Sequence, residues 1–103
     1  MPLYQAMNAL KSNIPSSKES AQQFLDTLPT SVQEQLIAAV YLGREHIHSL
    51  QLRDDIEISR AQTEHIRQDE YAKILWEKAD NLTVYLNKLD ECARASNFDL
   101  NTL

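Results

Sequence analysis

The sequence predicts an all-α, single-domain bundle of five to six short helices over residues 1–103, with 97–103 as a C-terminal tail. Three observations support this prediction. Apolar residues recur at helical spacings of three and four. Hydroxyl and carboxylate pairs with the spacing of capping boxes precede two of these runs. The chain has a single glycine, whereas the hairpins of β-rich folds use glycine for turns with positive φ.

The first two helices are predicted from apolar spacing and proline positions. The first has one apolar face, formed by Leu3, Met7, Leu10 and Ile14. Pro15 ends it, because a residue that precedes proline is displaced from the α region. A capping box over 16–19 opens the second helix, which Pro29 ends. Its buried face is predicted to comprise Ala21, Phe24, Leu25 and Leu28.

The third helix is predicted to be the central and most buried one. A capping box over 31–34 opens it. Its apolar residues cover nearly the whole circumference toward the C-terminal end: Val32, Leu36, Ile37, Ala38, Ala39, Val40, Tyr41 and Leu42. A helix that is apolar all round belongs in a core. Gly43 is predicted to end this helix as a left-handed residue, and Arg44 to interact with the negative end of its dipole.

Residues 44–70 are highly charged, and their few apolar residues admit two structures. Apolar residues alternate with period two around Gln51 and Glu57, as in a short hairpin. A helix is the preferred interpretation, because Asp54 and Glu57 have the spacing of a capping box. A hairpin would also lack Gly or Asn in its turn. The stretch from Arg44 to Arg53 is predicted to be an exposed, mobile loop.

An apolar seam predicts the last two helices. A single helix from Tyr71 to Ser96 would be about 39 Å long at about 1.5 Å per residue. A compact domain of this size is only about 34 Å across. The helix 70–95 is therefore predicted to break at Asp80-Asn81, both common N-cap residue types. The seam consists of Tyr71, Leu75, Leu82, Tyr85 and Leu89. Together with Trp76, which is offset from it and predicted to be partly exposed, this seam is also the predicted partner interface.

Nucleic acids and membranes are predicted to be poor partners. The net charge is −5, and no basic stripe is present to neutralise phosphates. No apolar run approaches the roughly 20 residues of a membrane span, and the start of the chain lacks the basic region of a secretory signal. Cys92 is the only cysteine, so no internal disulfide can form. These features predict a soluble cytoplasmic protein.

Three motifs suggest a family. The stretch 34–44 reads Glu-Gln-Leu-Ile-Ala-Ala-Val-Tyr-Leu-Gly-Arg, 74–78 reads Ile-Leu-Trp-Glu-Lys and 82–86 reads Leu-Thr-Val-Tyr-Leu. Together they resemble the signature of a family of short bacterial helical domains of unknown function, over roughly residues 28–92. That signature has an aliphatic helix ending in an aliphatic-Gly-Arg step, then a Tyr-Leu-Leu-x-Lys-like stretch and a Leu-x-x-Tyr-Leu motif. The resemblance implies a small helical fold and a bacterial source, and no activity.

No set of chemically active residues forms a recognisable catalytic motif. His46 and His48 would point to opposite sides of a helix, and His65 is distant in sequence, so no metal site and no cofactor are predicted. Cys92 is predicted to be a buried small hydrophobe in the last helix. The structural interpretation of Arg44 has an alternative, in which it anchors a carboxylate or phosphate of a partner.

These observations predict a non-enzymatic protein–protein interaction module or small regulator, with a protein partner and a two-fold homodimer. The alternative is a small enzyme or metal-binding protein that uses the histidine- and carboxylate-rich segment 44–70. A third interpretation is a helix-turn-helix DNA-binding protein. The start of its recognition helix would be Val32-Gln33-Glu34-Gln35-Leu36, which has no Lys or Arg to contact phosphates.

Overall fold

Five α-helices enclose one hydrophobic core. A computed structural model describes residues 2–103. The helices are α1 (Pro2–Ser12), α2 (Lys18–Leu25), α3 (Thr30–Glu45), α4 (Tyr71–Glu77) and α5 (Leu82–Ala95). Short 3-10 helices cover Arg60–Thr63, Gln68–Glu70, Ala79–Asn81 and Leu100–Thr102. Residues 2–103 contain no strand, so the predicted all-α, single-domain fold is confirmed.

α3 is the central helix, as its composition predicts. It packs against α1, α5 and the 3-10 helix Arg60–Thr63, while α2 packs against α4. Its buried apolar residues are Val32, Leu36, Ile37, Ala38, Ala39, Val40 and Leu42. Because elements contact α3 from several sides, a helix without a broad polar face can be accommodated there.

The start of α2 differs from its predicted capping box by one residue. The N-cap is Ser17, whose side chain accepts a hydrogen bond from the Ser20 backbone N–H at 3.0 Å. Ser20 Oγ accepts in turn from the Ser17 backbone N–H at 3.1 Å. Ser17 and Ser20 therefore form the reciprocal pair that was predicted for 16–19.

The predicted capping box over 31–34 is wrong, because α3 begins at Thr30 with no side-chain cap. The buried residue Gln33 instead caps the preceding helix. Its side-chain amide donates to the carbonyl oxygens of Leu25 at 2.8 Å and Leu28 at 3.1 Å. Its side-chain oxygen accepts from the Gln68 amide at 3.0 Å. Gln33 thus adds a second hydrogen bond to the Leu25 carbonyl, which also accepts from the Leu28 backbone N–H at 2.9 Å, and gives the Leu28 carbonyl a partner.

The prediction that Gly43 ends α3 in a left-handed conformation is also wrong. The helix continues through Glu45 to a C-cap at His46, and Gly43 does not have a positive φ. A Cβ added to Gly43 would collide with the carbonyl oxygen of Tyr85 in α5. Glycine is required here because two helix backbones approach closely, and not because the chain turns. Arg44 lies in the last turn of α3.

The segment 44–70 forms neither the preferred helix nor the alternative hairpin. After α3 ends, the chain is irregular up to Arg60 and then contains only two short 3-10 helices. The prediction of an exposed loop over Arg44 to Arg53 is wrong at His46, which is fully buried. Leu52, Ile56 and Ile58 pack against the core as separate anchors. Their spacing does not place all three on one face of a helix, so each side chain packs against the core separately.

The predicted break in the helix 70–95 is confirmed. α4 ends at Glu77, the 3-10 helix Ala79–Asn81 follows, and α5 begins at Leu82. The longest dimension of the molecule is 36 Å. An unbroken helix from Tyr71 to Ser96 would be longer, at about 39 Å. The tail 97–103 belongs to the body, because Leu100 and Leu103 are buried.

The apolar seam of the last helices lies inside the chain. Four of its side chains are buried, namely Tyr71, Leu75, Leu82 and Leu89. Tyr85 is partly buried and packs against the same core. The predicted partner interface is therefore wrong for the four buried residues, because contacts within the monomer already cover them. Trp76 is different, since 44% of it is exposed.

The helices of residues 2–103 are short or carry many polar side chains. None of them combines the length and the apolar character that crossing a bilayer requires.

Candidate functional site

Trp76 is an exposed aromatic residue on a short helix that is otherwise anchored in the core. Tyr71, Ala72 and Leu75 form the buried side of α4. The Trp76 side chain lies at the edge of this buried side, and its predicted partial exposure is confirmed, since 44% of it is exposed. Burial of a large apolar side chain stabilises a protein by about 1.5–3 kcal/mol. A tryptophan that stays exposed has not gained all of this free energy within the chain, so its surface is available for contact with a partner.

A groove lies beside this tryptophan, and we call it the Trp76 groove. Its volume is about 590 Å³, within the usual range of ligand-binding clefts. It is lined by Pro15, Ser16, Trp76, Glu77, Ala79 and Asp80. One wall is therefore the connection between α1 and α2, and the other is the junction between α4 and α5. Ile14 precedes this wall in the chain and is 39% exposed.

The charges that line the Trp76 groove are negative. Glu77 and Asp80 are exposed, and within residues 2–103 neither carboxylate forms an ion pair. The Lys78 ammonium lies over the Tyr41 ring, 5.0 Å from its centroid, and this lysine is not part of the groove lining. These carboxylates therefore face solvent without a neighbouring cation bound to them.

One cation of the chain contacts the tryptophan itself. The Lys18 ammonium lies 5.9 Å from the centroid of the Trp76 ring, near the outer limit of a cation–π interaction. Lys18 is exposed at the start of α2. The ring therefore already attracts a positive charge, and a flexible, solvated side chain supplies it.

The three histidines lie in different surroundings. His46 is fully buried, and its Nδ1 lies 2.7 Å from the Leu42 carbonyl oxygen. The other ring nitrogen, Nε2, accepts a hydrogen bond from the Arg53 backbone N–H at 3.0 Å. This arrangement fits a neutral ring with its proton on Nδ1. His48 and His65 are exposed. In the part of the chain that the structure describes, no three His, Cys, Asp or Glu side chains lie together in a way that could hold a metal ion.

The residues next to His46 hold the irregular segment in place. Arg53 forms a two-point contact with Asp55, at 2.9 Å from Nε to Oδ1 and 2.6 Å from Nη2 to Oδ2. The hydrogen bond from Arg53 lowers the pKa of the Asp55 carboxyl. Arg53 thus joins an exposed ion pair to a buried histidine, so this cluster stabilises the loop.

Cys92 is a buried thiol, as predicted. It is inaccessible to solvent, and its Sγ lies 3.6 Å from the Ser49 carbonyl oxygen. Burial raises the pKa of this thiol. Two charged neighbours have smaller effects: Lys88 lowers the pKa and Glu91 raises it. A reactive cysteine has a lowered pKa and an accessible sulfur, so Cys92 has the character of a packing residue.

A second groove, between α1 and the end of α5, has a volume of about 610 Å³. Its charged side chains have partners within the chain, except that the buried Oδ1 of Asp90 has no hydrogen-bond partner in residues 2–103. Lys11 donates to the Asn87 side-chain oxygen at 2.8 Å, and Arg94 pairs with Asp90 at 3.2 Å. Its lining also has two cations and two carboxylates, so its charge favours neither sign of ligand.

Arg44 and the start of α3 were the remaining predicted sites. Arg44 is exposed, and its guanidinium contacts no carboxylate of residues 2–103. At the start of α3, Val32, Gln33 and Leu36 are buried. A recognition helix must expose these positions to a DNA groove, so the placement of α3 does not suit the helix-turn-helix interpretation.

Comparison with protein-family models, curated proteins and solved structures gives no match. The family resemblance carried by 34–44, 74–78 and 82–86 therefore stays a prediction.

The sequence indicated Trp76 but not the groove around it. Pro15 and Lys18 come from a connection that is about sixty positions away in the chain, and only the packing of α2 against α4 brings it near. Glu77 and Asp80 lie in a stretch with interleaved lysines, which is the usual pattern of a solvated helix face. The available signal was the spacing of Trp76 and Asp80, because residues four apart are neighbours on a helix surface.

Proposed function

We propose that this chain is a non-enzymatic protein-interaction module that binds a protein partner through the Trp76 groove. The observation that carries the proposal is the exposure of a tryptophan beside an open groove, on a helix whose seam residues Tyr71 and Leu75 are buried. Tryptophan is enriched among the residues that contribute most binding energy at protein interfaces, and these residues commonly fill or flank pockets.

The chemistry of the groove supports binding over catalysis. Neither a histidine nor a cysteine is among its described lining residues. Glu77 and Asp80 are exposed to water, whereas the reacting groups of an enzyme usually lie in a site from which water is expelled. The competing proposal, a small enzyme or metal-binding protein based on 44–70, has less support because His46 is committed to two hydrogen bonds.

The test is a comparison of three immobilised proteins in affinity capture from the native host: wild type, Trp76→Ala and Val84→Ala. Val84 is the matched control, because it is 50% exposed and lines none of the grooves described above. A captured protein is then purified and titrated against each variant. We expect Trp76→Ala to weaken binding at least tenfold, about 1.4 kcal/mol, and Val84→Ala to leave it unchanged. Equal binding by all three proteins would contradict the proposal.

The predicted homodimer now requires a different interface. Because Leu75, Leu82 and Leu89 are buried, a second copy would have to bind a different surface, for which the Trp76 groove is a candidate. Light scattering at concentrations of tens of micromolar tests this directly. A mass near 11.8 kDa would contradict the dimer and leave the groove to another partner. The bacterial source and the cytoplasmic location stay predictions from the sequence.

A further inference from the structure

We infer that the partner of the Trp76 groove is a cationic segment of another protein, an extended stretch with an arginine or lysine next to an apolar side chain. This inference rests on the proposed function and specifies its partner. The partner's cation would lie over the Trp76 ring, near Glu77 and Asp80. Its apolar neighbour would pack against the opposite wall of the groove, which the connection between α1 and α2 forms.

Charge complementarity is the first argument. The two carboxylates that line the groove have no ion-pair partner within residues 2–103, and Lys78 lies over the Tyr41 ring instead. The whole chain has a net charge of −5, which adds a long-range attraction for cations. A neutral or acidic segment would leave both carboxylates without a partner or would oppose them.

The position of Lys18 is the second argument. Its ammonium lies 5.9 Å from the Trp76 ring centroid, so the ring already interacts with a cation from its own chain. Lys18 is exposed, so displacing its side chain from the Trp76 ring requires little free energy. An arginine of the partner would interact more strongly with the ring face, because a planar guanidinium can stack on an aromatic ring. We therefore expect Lys18 to compete with the partner.

The same charges disfavour a second copy as the occupant. In a two-fold dimer the same surface of each subunit meets at the axis. A dimer through the Trp76 groove would therefore bring Glu77 and Asp80 of one subunit toward the same carboxylates of the other, and the attached chains each have a net charge of −5. A cationic segment encounters neither of these repulsions.

The experiment uses the full chain and three dye-labelled, capped nonapeptides. The first alternates arginine with leucine, the second alternates glutamate with leucine, and the third alternates serine with leucine. Binding is measured by fluorescence anisotropy of the dye. A second readout is the emission of Trp76, which is the only tryptophan of the chain and therefore reports on the groove alone. We expect only the arginine peptide to bind and to change the Trp76 emission.

Charge-changing variants give the sharper part of the test. The double variant Glu77→Gln/Asp80→Asn is expected to weaken binding of the arginine peptide about tenfold. Lys18→Ala is expected to strengthen it about threefold, because a competing cation is removed. Glu57→Gln is the control, since Glu57 is exposed and lies in none of the grooves described above. It removes one negative charge and is expected to change binding less than twofold.

Several outcomes would overturn the inference. Binding that does not alter Trp76 emission, or that responds equally to Glu57→Gln and to the double variant, would show non-specific attraction to an acidic protein. No binding at about 1 mM arginine peptide would also overturn it. Binding of the serine or glutamate peptide alone, with a change in Trp76 emission, would overturn the cationic partner but preserve the proposed function. A stable dimer that Trp76→Ala dissociates would show that a second copy covers the groove.

Discussion

Gly43 in α3 lies against the backbone of Tyr85 in α5, so closely that a Cβ on Gly43 would collide with the Tyr85 carbonyl oxygen. The nearest atoms all belong to the backbone of Tyr85, and a backbone in the middle of a helix cannot rotate away as a side chain can. The one glycine of the chain therefore permits the contact between its two longest helices.

Gly43→Ala is expected to destabilise the protein by up to about 2 kcal/mol. Alanine improves helix propensity by about 1 kcal/mol, but the added methyl group forces α3 and α5 apart, and overpacking of this kind costs about 1–3 kcal/mol. Chemical denaturation measures the change. Arg44→Ala is the control, because Arg44 is exposed one position further along the same helix, and its effect should stay within about 0.5 kcal/mol. A stability gain for Gly43→Ala would contradict the close contact.

Asn97 is expected to be improved by glycine and impaired by alanine. It has a φ of 55° directly after the C-cap of α5, and the following N–H, of Phe98, donates to the Ala93 carbonyl at 2.9 Å. This pattern ends a helix with one left-handed residue, where a Cβ is unfavourable. Asn97→Gly should be neutral or raise the free energy of unfolding by up to about 0.5 kcal/mol, and Asn97→Ala should lower it by about 1 kcal/mol. The opposite order would show that the Asn97 side chain has another role.

His46→Ala is expected to destabilise the protein by about 2–3 kcal/mol and to loosen the irregular segment. The substitution removes the partner of the Arg53 N–H and one partner of the Leu42 carbonyl, and it leaves a cavity in a fully buried position. Amide hydrogen exchange should show faster exchange at Arg53. His48→Ala is the matched control, since His48 is exposed, and it should change neither quantity. Unchanged exchange at Arg53 in the His46 variant would contradict the hydrogen bond.

Cys92 is expected to react slowly with a thiol reagent in the folded protein. Burial raises the pKa of its thiol, so near pH 8 the folded protein contains less thiolate than an exposed cysteine would, and the sulfur is also inaccessible. The control is Cys92→Ala/Ser12→Cys, which places one thiol at an exposed position of α1. This variant should react about a hundredfold faster or more, which corresponds to an activation free energy lower by about 2.7 kcal/mol. Equal rates would indicate that α5 opens readily.

The sequence allowed much of this fold to be predicted because the apolar periodicity of α1, α3 and α5 depends on residues close together in the chain. The break near Asp80 was also predictable, since the length of a continuous helix can be compared with the size of a compact domain. Gly43 shows the limit of this approach. Its local pattern is that of a helix end, and only the position of Tyr85 reveals the requirement for close backbone contact.

The segment 44–70 and the candidate site were less predictable for the same reason. His46 is buried because Leu42 and Arg53 supply hydrogen bonds on both sides of its ring, and no periodicity encodes such a pair. The Trp76 groove depends on Pro15, which tertiary packing brings close to α4. Local patterns indicate which residues are apolar or charged, whereas a groove requires the placement of distant elements.

Paired truncations in α4 distinguish the core from the proposed binding surface. Leu75 is fully buried, whereas Trp76, the next residue, is 44% exposed. Leu75→Ala is expected to lower the free energy of unfolding by about 2–5 kcal/mol, because it removes packed atoms and leaves a cavity. Trp76→Ala should cost no more than about 1.5 kcal/mol, because much of the ring contacts water. Thermal denaturation measures both variants at equal protein concentration. A loss for Trp76→Ala as large as that for Leu75→Ala would show that the tryptophan is a structural residue, and the loss of partner binding in this variant could then no longer be assigned to the surface.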